Sequence, residues 1–142
     1  SYGWDTHGDN FNAHASLMPR FDQAFTAIVE DLDQRGMLES TLVITAGEFG
    51  RTPRINDNKR GPGRDHWGRC FSLTMGGGGI KTGEVLGSSD KYAATPESRP
   101  VSVPDFVATV YHALGLDPSI EIESQGRPVK MLPEGNPIRE LM

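Results

Sequence analysis

Apolar residues recur at helical spacing in the first part of the chain. The clearest five lie three or four positions apart: Leu17, Phe21, Phe25, Ile28 and Leu32. This period, in the stretch between Ala13 and Met37, predicts an amphipathic helix. Since proline is best tolerated in the first turn of a helix, Pro19 places the predicted N-cap at Ser16, and Gly36 ends the helix.

Short runs of β-branched and apolar residues predict the strands. The run Thr41–Thr45 follows the helix and has the composition of a buried strand in a parallel sheet. Phe71–Met75 predicts a second strand, and Glu84–Leu86 a short edge strand. We therefore expect an α/β fold in which helices pack on a mainly parallel sheet.

A second helix is predicted late in the chain. Ser102 and Asp105 have the spacing of a capping box, and Gly115 provides a stop. The expected buried face consists of five residues: Phe106, Val107, Val110, Tyr111 and Leu114. Residues 117–142 have little periodicity, so we expect this tail to wrap over the surface.

Composition limits the class of protein. The 142 residues fit one domain or a piece of one, and 36% hydrophobic residues suffice for a core. No apolar run approaches the roughly 20 residues that span a bilayer. A single cysteine, Cys70, excludes an internal disulfide.

The chain opens on Ser1 without a signal-peptide pattern. Residues 3–7, which include potential metal ligands, have no structural element before them to position them. We therefore expect residues 1–142 to be a single domain that is a carboxy-terminal fragment of a longer one.

Charge is distributed unevenly along the chain. The net charge is −5, yet residues 51–69 hold six basic and two acidic residues, a local net charge of +4. This stretch lacks hydrophobic periodicity and predicts a long loop, which is commonly functional. A basic loop on an acidic protein suits an anionic group such as phosphate or sulfate. Nucleic acid fits less well, because the aromatic residues do not alternate with the cations. A plain solvated loop is the alternative.

Metal-ligating residue types occur at three places. Asp5 and His7 are two positions apart and would share one side of an extended segment. Glu48 lies between glycines at the end of the first predicted strand, the edge where α/β sheets bind ligands. Asp65 and His66 are adjacent, so that His66 would bind a metal while Asp65 orients it or contacts the preceding arginine. The simpler interpretations are a hydrogen-bonded turn, a solvated glutamate and a salt-bridged loop tip.

Aspartate, glutamate and histidine together are a hard oxygen and nitrogen ligand set, which suits a divalent metal such as zinc, manganese, magnesium or calcium. Arg51 and Arg64 would stabilise negative charge that develops on a substrate. No serine or threonine lies in a setting that marks a nucleophile, and Cys70 is expected to be structural. Any nucleophile is therefore expected upstream of residue 1. His14, at the start of the first helix, is expected to be an ordinary surface histidine.

Several segments carry a family resemblance. They are GWDTH at 3–7, GEFGRTP at 47–53, GRDHW at 63–67, the glycine run 76–79 with Ile80–Gly83, and the last helix around Asp105. In this order they resemble the bacterial domain-of-unknown-function 1501 family, which is grouped with the alkaline phosphatase and sulfatase superfamily. The resemblance covers nearly the whole chain. It implies a longer exported or periplasmic protein, often with a twin-arginine signal, of which this chain is the carboxy-terminal part of a three-layer alkaline-phosphatase-like sandwich.

The resemblance also implies site residues. Asp5 and His7 resemble the first metal-ligand pair of the superfamily, and His66 resembles the late histidine. Where the superfamily has Asp-His-Gly, this chain has Thr45–Gly50, which leaves Glu48 as the remaining candidate ligand.

These observations predict a metal-dependent hydrolase of sulfate or phosphate esters. Its substrate would be an anionic small-molecule or polysaccharide ester, and neither nucleic acid nor a membrane span is expected. The competing hypothesis is a non-catalytic exported protein that binds an anionic polymer or a surface partner. A third hypothesis, a structural fragment without a site, predicts that Glu48 and His66 lie far apart.

Overall fold

The computed structural model describes residues 3–142, in which helices and short strands are mixed, as the α/β class requires. The helices are α1, Asn10–Gln34, and α2, Val103–Ala113. The strands are β1, Val43–Ala46; β2, Gly50–Arg51; β3, His66–Trp67; β4, Leu73–Gly76; β5, Ser88–Ser89; β6, Pro96–Ser98; β7, Glu121–Ser124; and β8, Arg127–Lys130. Short 3-10 helices occupy Leu38–Ser40 and Arg139–Leu141.

Every strand pair within residues 3–142 is antiparallel. The pairs are β1 with β4, β2 with β3, β5 with β6, and β7 with β8. The prediction of a mainly parallel sheet is therefore wrong for this part of the chain, and the three-layer sandwich is not present in it. A parallel pair needs a crossover connection, usually a helix. The chain between β1 and β4 contains no helix and turns back through the basic loop, so Val43 pairs opposite Gly76.

Helix α1 begins earlier than predicted. Its N-cap is Asp9, not Ser16, and Pro19 lies inside the helix. The early start is fixed from outside the helix, because the backbone N–H groups of Asp9 and Asn10 donate to the carbonyl oxygens of Gly61 and Pro62, both at 3.1 Å. These bonds satisfy amides that the first turn leaves without helical partners. They also join the start of α1 to the basic loop.

A small core lies between β4, α2 and the chain end. Its buried members are Ile80, Ile138 and Leu141, against which partly buried residues pack: Leu42, Met75, Leu86 and Ala113. The prediction that residues 117–142 only cover the surface is thus wrong at Ile138 and Leu141. The same tail forms the exposed hairpin β7–β8, which the sequence pattern missed.

Helix α2 matches its prediction at both ends. The Ser102 hydroxyl accepts the Asp105 backbone N–H at 3.1 Å, and the helix ends just before Gly115. The fully buried residues are Ala108 and Thr109, beside the predicted apolar face, whereas Leu114 is exposed. Small side chains there allow the tail to pack closely on the helix.

The predicted edge strand at Glu84–Leu86 does not form. Val85 is 91% exposed, and strand pairing begins only at Ser88, where β5 meets β6. Among the described residues, no helix combines the length and the apolar content needed to cross a membrane.

Replacing Thr109 by valine tests how the tail is held. The Thr109 hydroxyl donates to the Asp105 carbonyl at 2.7 Å and accepts the Ile138 backbone N–H at 2.9 Å. Thr109→Val leaves that amide buried without a partner, so we expect the free energy of unfolding to fall by about 1–3 kcal/mol. Urea denaturation measures the change. Thr26→Val, at an exposed position of α1, is the matched control, and an equal effect of both variants would contradict this account.

The ion pair between Arg99 and Glu140 makes stability depend on pH. Both guanidinium bonds, at 2.6 and 2.9 Å, favour the ionised carboxylate and lower the pKa of Glu140 from 4.5 to about 2. A lowered folded-state pKa contributes stability above 4.5 that is lost as the pH falls toward 2. Glu140→Gln should therefore destabilise the protein more at pH 6 than at pH 3 in chemical denaturation. An equal effect at both pH values would refute the pair's role, and Glu134→Gln serves as control.

Candidate metal centre

The segment before α1 lies directly against the basic loop. Asn56 pairs with Gly63 in an isolated bridge, and its side-chain Nδ2 donates to the His7 carbonyl oxygen at 3.0 Å. Gly63 is buried, and a methyl group at its Cα would overlap the backbone of His7 and Gly8. Residue 63 therefore allows the two segments to approach closely, and this approach carries His7 toward β3.

Three of the four predicted metal ligands converge. The Asp5 Oδ1 atom is 2.7 Å from His66 Nε2 and 3.0 Å from His7 Nε2. One ligand atom from each of these residues lies within 4.8 Å of the other two. The two imidazole rings have centroids 4.6 Å apart. A carboxylate and two imidazoles thus face one point, although Asp5 and His66 are 61 positions apart in sequence.

Asp65 contacts His7 rather than His66 or Arg64. Its Oδ1 atom is 2.8 Å from His7 Nδ1. His7 therefore has a carboxylate at each ring nitrogen, Asp65 at Nδ1 and Asp5 at Nε2. Without an ion, both contacts are hydrogen bonds only if both nitrogens carry protons. A metal at Nε2 would replace one proton, and Asp65 would then fix the ring in the manner common for metal-ligating histidines.

The surroundings favour charged carboxylates. The hydrogen bond from His66 lowers the pKa of Asp5, and the nearby His7 ring and the hydrogen bond from Arg51 act in the same direction. The pKa of Asp65 is lowered first by its bond to His7 and then by Asn56. Both groups are therefore in the ionised form that binds metals.

The two predicted anion-binding arginines donate mainly to the protein. Arg51 Nη2 donates to Asp5 Oδ1 at 3.2 Å and to the Trp4 carbonyl at 3.0 Å, and its Nη1 reaches the Arg64 carbonyl at 3.2 Å. Arg64 donates to the carbonyl oxygens of Thr52 and Arg51 at 2.6 and 3.3 Å. The two side chains cross-link β2 and the loop before β3.

Glu48 is not brought into the cluster. It is exposed in the bend between β1 and β2, outside the group of converging ligand atoms. The neighbouring glycine has a packing role, since a methyl group on Gly50 would overlap the carbonyl of Cys70. Gly50, one of the two glycines that flank Glu48 in the sequence, thus accommodates backbone.

Aromatic residues that the sequence reasoning did not assign form the surroundings. Phe49 lies over His66 with ring centroids 4.2 Å apart. Trp4 makes edge contacts with His14 and Phe21. His14 is half-buried, with Nε2 at 3.2 Å from the Thr6 hydroxyl, and so is not an ordinary surface histidine. The signal available in the sequence was position: Trp4 and Phe49 each stand next to a candidate ligand.

A shallow groove of about 280 Å³ opens beside the cluster. It is lined by Thr52, Arg54, Asn56, Asp57 and Asp65. Within the described residues, the Asn56 Oδ1 atom is buried without a hydrogen-bond partner. Since Asp65 also contacts His7, its side chain connects the groove to the cluster.

The donor set fits a divalent metal. Two imidazole nitrogens and a carboxylate oxygen match the three protein ligands of many catalytic zinc sites, which leave a position open for substrate or water. The residues that would hold the ion are Asp5, His7 and His66.

Residues 1–142 match the family described as "Protein of unknown function (DUF1501)". The chain belongs to this family, as its motifs indicated. No curated protein and no solved structure matches the chain.

Gly63→Ala tests the close approach on which the cluster depends. The added methyl group would overlap the His7 carbonyl, so we expect a loss of about 1–3 kcal/mol in the free energy of unfolding, as is usual for overpacking. Gly68→Ala is the control, because nothing lies within 4 Å of a methyl group there. Urea denaturation of both variants makes the comparison, and equal stabilities would refute the proposed crowding at residue 63.

Proposed function

We propose that the protein is a metal-dependent hydrolase of sulfate or phosphate esters, to which this chain contributes part of the metal and anion site. The observation that supports this most directly is the convergence of Asp5, His7 and His66 within 4.8 Å. The hydrogen bond that Asp65 Oδ1 accepts from His7 Nδ1 adds support, because it is the contact that orients a metal-binding imidazole.

The chemistry follows from the residue types. Asp5, His7 and His66 would hold a divalent ion such as zinc, manganese, magnesium or calcium, and the ion would polarise a sulfuryl or phosphoryl oxygen of the ester. Asp65 would keep the His7 ring in place. The local charge of +4 over residues 51–69 would attract an anionic substrate. Glu48 is exposed and is not one of the three converging ligands, and it has no assigned role.

Membership of the alkaline phosphatase and sulfatase superfamily, and export to the periplasm, are part of this proposal. They rest on the resemblance of the Asp5–His7 and His66 motifs to the metal ligands of that superfamily. In that framework the antiparallel strands described above would belong to a larger sandwich domain.

The competing proposal is a binding protein that keeps the site without turnover. It is favoured by one observation, namely that the two predicted anion-binding arginines, Arg51 and Arg64, use donors on backbone carbonyls, and Arg51 also donates to Asp5. Such a protein would bind an anionic polymer or surface partner without hydrolysing it.

Metal analysis and ester hydrolysis distinguish these proposals. After dialysis against zinc or manganese, the protein should retain about one equivalent of metal, and His66→Ala should lose most of it. His112→Ala is the matched control, because His112 is an exposed residue of α2 outside the cluster. Less than one equivalent, unchanged by His66→Ala, would refute the metal centre.

The same samples are then tested with aryl sulfate and aryl phosphate. Turnover that requires added metal and is lost in His66→Ala supports the hydrolase. Metal binding without any turnover, together with retention on an anionic polysaccharide resin, supports the binding protein instead.

A further inference from the structure

The Arg51 guanidinium lies between the Asp5 segment and the strand pair β2–β3. It bonds to three acceptors: the Trp4 carbonyl at 3.0 Å, Asp5 Oδ1 at 3.2 Å and the Arg64 carbonyl at 3.2 Å. Two of these acceptors are backbone atoms on different segments. The guanidinium plane is therefore fixed from two sides before it meets the carboxylate.

The exposed fractions of the Arg51 and Asp5 side chains indicate which of the two residues orients the other. The Arg51 side chain is 20% exposed, whereas that of Asp5 is 67% exposed. Packing therefore does not fix the rotamer of Asp5. Its orientation depends on the polar contacts of Oδ1, and Arg51 is the partner among these that is itself anchored to backbone on both sides.

We propose that Arg51 is a positioning residue that holds Asp5 in the rotamer facing His7 and His66. The expected effect of Arg51 on metal binding rests on the proposed function. Arg64 supports the same arrangement, because its Nη2 atom donates to the Arg51 carbonyl at 3.3 Å while its Nε atom donates to Thr52. Arg51 then acts on the centre through Asp5, and its donors are not used to bind the anion.

The planar fork is essential to this role. A guanidinium presents several N–H groups in fixed directions, whereas an ammonium is a single point charge on a flexible stem. Lysine at position 51 would retain attraction to Asp5 but could not bridge the Trp4 and Arg64 carbonyls with the same geometry. The contribution of the positive charge can therefore be separated from that of the guanidinium shape. Arg51→Gln removes both, whereas Arg51→Lys keeps the charge and removes the shape.

Co²⁺ is the probe for the loaded centre. We expect Arg51→Gln to weaken Co²⁺ binding about 10- to 100-fold, as loss of a group that orients a ligand commonly does, and to alter the visible absorption of the bound ion. Arg51→Lys should recover only part of the affinity. Arg20→Gln, an exposed arginine in α1, makes the same chemical change away from the cluster and should bind like the unmodified protein.

The metal-free protein gives a second readout. His66 Nε2 contacts Asp5 Oδ1, so the ring ¹⁵N signals of His66 should move in Arg51→Gln while the far-ultraviolet circular dichroism stays unchanged. If Arg51→Gln does not fold, Arg51→Lys carries both measurements. Unmoved His66 signals together with unchanged Co²⁺ affinity and absorption would overturn the proposal. If the unmodified protein binds no Co²⁺, the metal assignment fails, while the His66 signals still decide the role of Arg51.

Discussion

The close backbone contact between His7 and Gly63 is the constraint on which the described site depends. Three separate features use it: the bond from Asn56 to the His7 carbonyl, the first amides of α1 on Gly61 and Pro62, and the pairing of His7 with Asp65. A side chain at residue 63 would push these segments apart. A glycine that looks like loop composition in the sequence therefore determines whether residues far apart in the chain share one site.

The elements with strong local signals could be predicted from the sequence. Helix α2 has a capping serine, an apolar period and a terminal glycine, and these agree with one another. The central part of α1 was predicted because its apolar residues recur at helical spacing. Its start was not, because the bonds that fix it come from Gly61 and Pro62, and no local pattern reports a partner fifty residues away. The prediction of parallel pairing for β1 failed for a related reason. The relative direction of two strands is set by the path of the chain that connects them, and the residues of the strand itself do not indicate that path.

For the candidate site too, some features could be predicted from the sequence and others could not. Residue chemistry identified Asp5, His7 and His66 from their type and spacing, and the structure places them together. Chemistry also suggested Glu48, which is exposed and is not one of the converging ligands, because a carboxylate between glycines has no feature that distinguishes a ligand from a solvated turn. The pairing of Asp65 with His7 instead of with its neighbour His66 depends on long-range geometry. Asp65 lies just before β3, outside regular strand, and from there its carboxylate reaches the same His7 ring that the His66 ring approaches.

The sequence separation within the cluster has a mechanical consequence. Asp5 and His66 close a loop across 61 positions in a chain with a single cysteine and a small buried core. An ion held by both ends would act as a cross-link and remove conformational entropy from the unfolded chain, much as a disulfide does. The cost of closing such a loop grows only slowly with its length, so most of the gain would come from having one tie at all. A bound ion would then restrict the motion of the whole basic loop, and not only of the three side chains that contact the ion.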